Sequence, residues 1–86
     1  MYNYQDERSY VFTDEGQRNF LKIRDHIGDL LKKAGAFKMI NVLAILESSN
    51  AWQIATCVYR LVELNEIKQV NRTETVAMQD EIFIRW

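Results

Sequence analysis

AWQIATCVYRLVELNEI, residues 51–67, holds three signals in a row: an amphipathic helix, a helix stop and the start of a strand. Wound at about 100° per residue, the segment puts Ala51, Ile54, Ala55, Cys57, Val58, Leu61, Val62 and Leu64 on one broad apolar side. Trp52, Gln53, Thr56, Tyr59, Arg60 and Glu63 fall on the other, an outward face rich in aromatics. Asn65 stands where a left-handed residue closes a helix, the position at which Asn is the usual substitute for Gly. Ile67 then opens IKQVNR, residues 67–72, a stretch of strand character. On the N-terminal side the polar break ESSN, residues 47–50, supplies a cap for the helix through Ser49 or Asn50.

Working outward, EIFIRW, residues 81–86, alternates with a period of two. Ile82, Ile84 and Trp86 share one face and Glu81, Phe83 and Arg85 the other, so this strand is expected to pair with residues 67–72 as an antiparallel hairpin. The connection, residues 73–80, contains neither Gly nor Pro and is longer than a tight turn, which suggests an open tip. Before the central helix, AFKMINVLAILE, residues 36–47, is apolar nearly all round and reads as a short helix buried on most sides. Before that, Thr13 followed by Asp14 and Glu15 marks a helix start, a hydroxyl cap with carboxylates at the positive end of the dipole. Phe20, Ile23, Ile27, Leu30, Leu31 and Ala34 continue it as one apolar stripe, and Lys32, Lys33 and Gly35 close it. Residues 1–13 mix aromatics with charges, and SYVF, residues 9–12, has the propensity for an edge strand or a packed arm. The expected plan is one domain, residues 14–86, preceded by that arm: mainly α, with three helices and a small antiparallel β-hairpin, an α+β arrangement.

Composition limits the functions available. A chain of 86 residues supports one core. Its single cysteine, Cys57, forms no intramolecular disulfide and is expected to act as a small buried hydrophobe. No apolar run reaches the roughly 18 residues of a membrane span, and MYNYQDERSY lacks the features of a signal peptide, so a cytoplasmic protein without membrane contact is expected. His26, the only histidine, has Lys22 and Asp29 as helical neighbours and no ligand set. With no Gly-rich phosphate loop and no paired carboxylates in a cleft, neither an enzyme, a metal, a cofactor nor a small-molecule substrate is expected. Asn71-Arg72-Thr73 matches a glycosylation sequon that a cytoplasmic chain leaves idle. The net charge is -1, with acidic ends and a mildly basic middle: residues 16–72 hold nine Lys/Arg against five acids.

Helix, short helix, polar turn, helix and hairpin, in that order, resemble the winged helix-turn-helix plan. The segment Arg60-Leu61-Val62-Glu63-Leu64-Asn65-Glu66-Ile67 is similar to the end of the recognition helix in small bacterial or phage winged-helix regulators, with Asn65 in place of the usual glycine. The resemblance implies a DNA-binding transcriptional regulator that reads the major groove of double-stranded DNA with residues 51–64. Trp52, Gln53, Thr56, Tyr59 and Arg60 would face the groove, and Lys68 and Arg72 would add phosphate contacts from the wing. Against it stand Glu63, Glu74, Asp80 and Glu81, which meet phosphate with the wrong sign. The alternative is a winged-helix module for protein–protein interaction or dimerisation, anchored on Trp52 and Tyr59. A further possibility for Trp52 is that it folds back on the wing or the N-terminal arm.

Overall fold

The computed structural model describes residues 2–44, 50–71 and 76–86. Among these residues, four α-helices and three short strands follow one another as α1 (Tyr4–Glu7), α2 (Asp14–Ala34), β1 (Ala36–Lys38), α3 (Ile40–Leu43), α4 (Ala51–Glu63), β2 (Ile67–Gln69) and β3 (Ile82–Arg85). Two 3-10 turns, Arg8–Phe12 and Met78–Asp80, lie between α1 and α2 and just before β3. The α+β expectation holds, with one helix and one strand more than the sequence reading placed.

The long helix begins and ends on the residues that its chemistry requires. Thr13 Oγ1 accepts from the Gly16 N–H, Asp14 and Glu15 sit in the first turn, and Lys32 and Lys33 in the last. Gly35 closes the helix at φ 77° and returns its N–H to the Leu31 carbonyl. Asn50 caps α4 by accepting from the Gln53 N–H, and Asn65 follows the helix at φ 60°. Ser49, the other cap candidate, lies outside the described residues.

Residues 36–47 behave differently from the single helix expected of them. Ala36, Phe37 and Lys38 form β1, and one helical turn follows; the remainder of the expected helix, residues 45–47, lies outside the described residues. An all-round apolar run does not by itself distinguish a buried helix from a buried strand. Here Phe37 decides it by stacking across the sheet on Phe83, with ring centroids 5.3 Å apart.

β3 is the central strand of a sheet ordered β1-β3-β2, antiparallel throughout. Its register sets Phe37 beside Phe83, and Lys38 beside Ile82. On the other edge, Ile67 pairs with Arg85 and Lys68 with Ile84, the hairpin expected from alternation. One sheet face packs on the helices. Phe37, Phe83 and Ile67 join Ile23 and Ile27 of α2, Ile54, Val58 and Leu61 of α4, and Met39, Val42 and Val11 in a single core. Each fully buried side chain of this size contributes about 1.5–3 kcal/mol of apolar burial, so the α2–α4–sheet wedge holds the domain together without a disulfide. Cys57 belongs to this wedge, and burial pushes its thiol up to about 12.

The N-terminal segment is helical, and the edge strand expected at residues 9–12 does not form. Asn3 caps α1 by accepting from the Gln5 N–H, with Asp6 and Glu7 in the first turn. Only Val11 of the SYVF stretch is buried, where a strand would bury alternate residues. The turn is fixed instead by Thr13, whose N–H and Oγ1 both donate to the Tyr10 carbonyl. That carbonyl presses against Gly16, where a Cβ would come within 1.8 Å of it.

Candidate functional site: the outward face of α4

The face of α4 expected to be open to a partner is closed by the chain's own N-terminus. Tyr2 lies over Thr56, and their hydroxyls are 2.8 Å apart. Because Thr56 Oγ1 donates its proton to the Trp52 carbonyl, Tyr2 is the donor in this bond. Thr56 is 0% exposed, which corrects its expected outward placement: a short side chain in mid-helix is covered as soon as an aromatic ring lies across it. Tyr2 also packs edge-on to Trp52 and tilted to Tyr59, both with ring centroids 5.6 Å apart, and Tyr4 meets Tyr59 edge-on at 6.0 Å. Trp52 thus folds back on the N-terminal arm while keeping 42% of its surface exposed.

A polar clasp holds the same segment at the far end of the helix. Glu63 accepts from the Tyr4 hydroxyl at 2.7 Å, from Arg8 Nε at 2.9 Å and from Arg60 Nη1 at 2.7 Å. The Tyr4 hydroxyl and the two guanidiniums hold its carboxyl well below the usual range, at about 2. Arg8 and Arg60 both stack on the Phe12 ring, 5.1 and 5.2 Å from its centroid. Arg60, expected to reach phosphate or guanine, is therefore engaged by a carboxylate and an aromatic ring of its own chain.

Between α1, α4 and the hairpin runs a groove of about 750 Å³ with mostly apolar walls, including Tyr2, Tyr59, Val62, Val76 and Met78. At its floor the Tyr59 hydroxyl donates to Glu81. Glu81 was expected at the exposed wing but is 2% exposed, because the backbone on either side is pinned. Its N–H bonds the Met78 carbonyl, and its own carbonyl accepts from Met39. Burial raises the Glu81 carboxyl above its ordinary range, opposed by the Tyr59 hydrogen bond. Burial and that same bond push the Tyr59 hydroxyl far above its usual value.

Of the residues assigned to groove reading, Gln53 remains half-exposed on α4 and Trp52 sits on the rim. Tyr59 is half-buried among Tyr2, Tyr4 and Phe83. Lys68 belongs to a different surface. Strand alternation turns it away from the core-facing Ile67, onto the outer face of the sheet, where its Nζ lies 5.7 Å from the Trp86 ring centroid. Arg72 and Glu74 lie outside the described residues. The outer sheet face gathers Ile82, Ile84, Val70 and Trp86, the last two 51% and 67% exposed, with Lys38 on one edge and Lys68 on the other.

The residues that sequence reasoning missed are Tyr2, Tyr4 and Arg8. Their only signal is the alternation of aromatic and charged residues in MYNYQDERSY, which marks a packed segment without saying what it packs against. Comparison with protein-family models, curated proteins and solved structures finds no match to the chain.

Proposed function

We propose that the chain is a winged-helix domain that works as a protein-interaction module and does not read a DNA groove. The fold part is supported by the succession α2, β1, α3, α4 and hairpin, with a sheet ordered β1-β3-β2 packed on the α2–α4 pair. The observation that carries the functional part is the closure of α4 by residues 2–12. It buries Thr56, engages Arg60 through Glu63 and puts Asp6 and Glu7 on the segment that covers the helix. Phosphate neutralisation drives duplex binding, and this face offers carboxylates in its place.

The surface offered to a partner is the outer sheet face. Contiguous apolar side chains open to solvent mark contact sites on small domains, and the exposed Val70 and Trp86 with the half-buried Ile82 and Ile84 form such a stripe between two lysines. Self-association through this face would set like charges together, so the matching occupant is a second polypeptide with apolar and acidic side chains. A second reading, recognition of the major groove by α4 once the N-terminal segment lifts away, is supported by α1 having no buried residue.

The experiment is a titration of labelled random-sequence duplex DNA with the full chain, read by fluorescence anisotropy at low and physiological salt. The proposal expects no binding at either salt. Salt-sensitive binding weakened by Gln53→Ala and Arg60→Ala would replace it with the groove-reading function.

A further inference from the structure

We propose that the groove beneath the N-terminal segment is a binding site for a lysine or arginine side chain of a partner polypeptide, with Glu81 as its counter-ion. The proposal rests on the protein-interaction reading and adds to the outer sheet face a second contact site, of opposite charge preference.

Three observations support it. First, the Glu81 carboxylate is 2% exposed and, among the described residues, pairs with no cation; its side-chain partner there is the Tyr59 hydroxyl. A carboxylate withdrawn from water without a counter-charge is costly, and a cation brought by a ligand removes that cost. The rim carboxylate, Glu63, differs in being already matched by Arg8 and Arg60.

Second, Glu81 lies on the wall of a cavity of about 750 Å³, within the range of roughly 300–1,000 Å³ typical of ligand sites. Third, the rest of that wall suits the stem of a long cationic side chain. Val62 and Met78 offer aliphatic surface to its methylenes. Tyr2 and Tyr59 present aromatic surface that attracts a cationic head. A phosphate or carboxylate ligand would meet the wrong charge, and a purely apolar one would leave Glu81 unmatched.

The test is an NMR titration of the full chain with three probes of equal stem length: n-butylammonium, n-butylguanidinium and butan-1-ol. The blocked tripeptide acetyl-Leu-Lys-Leu-amide serves as the polypeptide arm. The two cations are expected to shift the signals of Tyr59, Val62 and Met78 at concentrations about tenfold lower than the alcohol does. The tripeptide is expected to bind more tightly than butylammonium. Glu81→Gln keeps an acceptor for Tyr59, so its fold is expected to survive by circular dichroism while the preference for cations disappears. Equal binding of alcohol and cations, or an unchanged preference in Glu81→Gln, overturns the site. Binding of butylammonium without the tripeptide overturns the polypeptide occupant. Duplex binding in the anisotropy experiment instead overturns the protein-interaction reading while leaving the cation preference measurable.

Discussion

Replacing Gly16 with alanine tests the joint that holds the N-terminal segment over α4. A Cβ at position 16 would stand 1.8 Å from the Tyr10 carbonyl oxygen, 2.7 Å from its carbon and 3.0 Å from Thr13 Oγ1. The two nearest atoms are backbone of Tyr10, which has no flexible end to yield, so the 3-10 turn Arg8–Phe12 has to move off α2. That movement breaks the two bonds from Thr13 to the Tyr10 carbonyl and disturbs the Thr13 cap on Gly16. A lost cap costs about 1 kcal/mol, and each hydrogen bond about 0.5–1.5 kcal/mol. Alanine returns about 1 kcal/mol of helix propensity. The net expectation for Gly16→Ala is a loss of about 1–3 kcal/mol. Gly28, in the same helix, is the internal control: a Cβ there meets nothing within 4 Å, so Gly28→Ala is expected to gain about 0.5–1 kcal/mol. Urea denaturation followed by far-ultraviolet circular dichroism measures both. A Gly16→Ala chain as stable as the parent, or more stable, would refute the close approach and with it the fixed position of the N-terminal segment.

Other consequences can be measured independently. Tyr2→Phe removes the proton donated to Thr56 and is expected to cost about 1 kcal/mol; a double-mutant cycle with Thr56→Val is expected to show coupling of about 0.5–1.5 kcal/mol, and no coupling would mean the two side chains do not meet. Glu63 has its carboxyl depressed from the usual range to about 2. The stability it adds is therefore complete above about pH 4.5 and fades as pH falls toward 2. Because the pair is partly solvated, the size of that effect is about 1 kcal/mol; acid titration of stability in the parent and in Glu63→Gln, which is expected to lack this dependence, measures it. Cys57, with its thiol pushed up to about 12 by burial, is expected to resist a disulfide-exchange reagent at pH 8 in the folded chain and to react promptly in denaturant. Prompt reaction without denaturant would contradict its burial.

The parts legible in the sequence were those written in local chemistry. Thr13, Gly35, Asn50 and Asn65 each marked a helix boundary because capping depends on one side chain and its immediate backbone. The alternation of residues 81–86 divided β3 into its two faces, since a period of two leaves little choice, but not which of them enters the core: the buried face is that of Glu81 and Phe83, not that of Ile82, Ile84 and Trp86. The parts that stayed hidden depend on distant partners. β1 was invisible inside an all-apolar run because only its pairing with β3, more than forty residues away, makes it a strand. Thr56 read as outward because helical winding says which side a residue is on, not whether Tyr2 lies across it. Glu81 read as a wing carboxylate because nothing local shows that Met39 and Met78 pin its backbone beneath the groove. At the candidate site, the residues of α4 were identified from sequence and their cover was not, and the cover changes which function the face supports.

The most direct test of the central claim is a nuclear Overhauser spectrum of the full chain at low salt in the presence of an equimolar random-sequence duplex. The account predicts cross-peaks between the Tyr2 ring and the Thr56 methyl, and between the Tyr4 and Tyr59 rings, unchanged by the DNA. Loss of those cross-peaks together with new contacts from Gln53 and Arg60 to the duplex would contradict it.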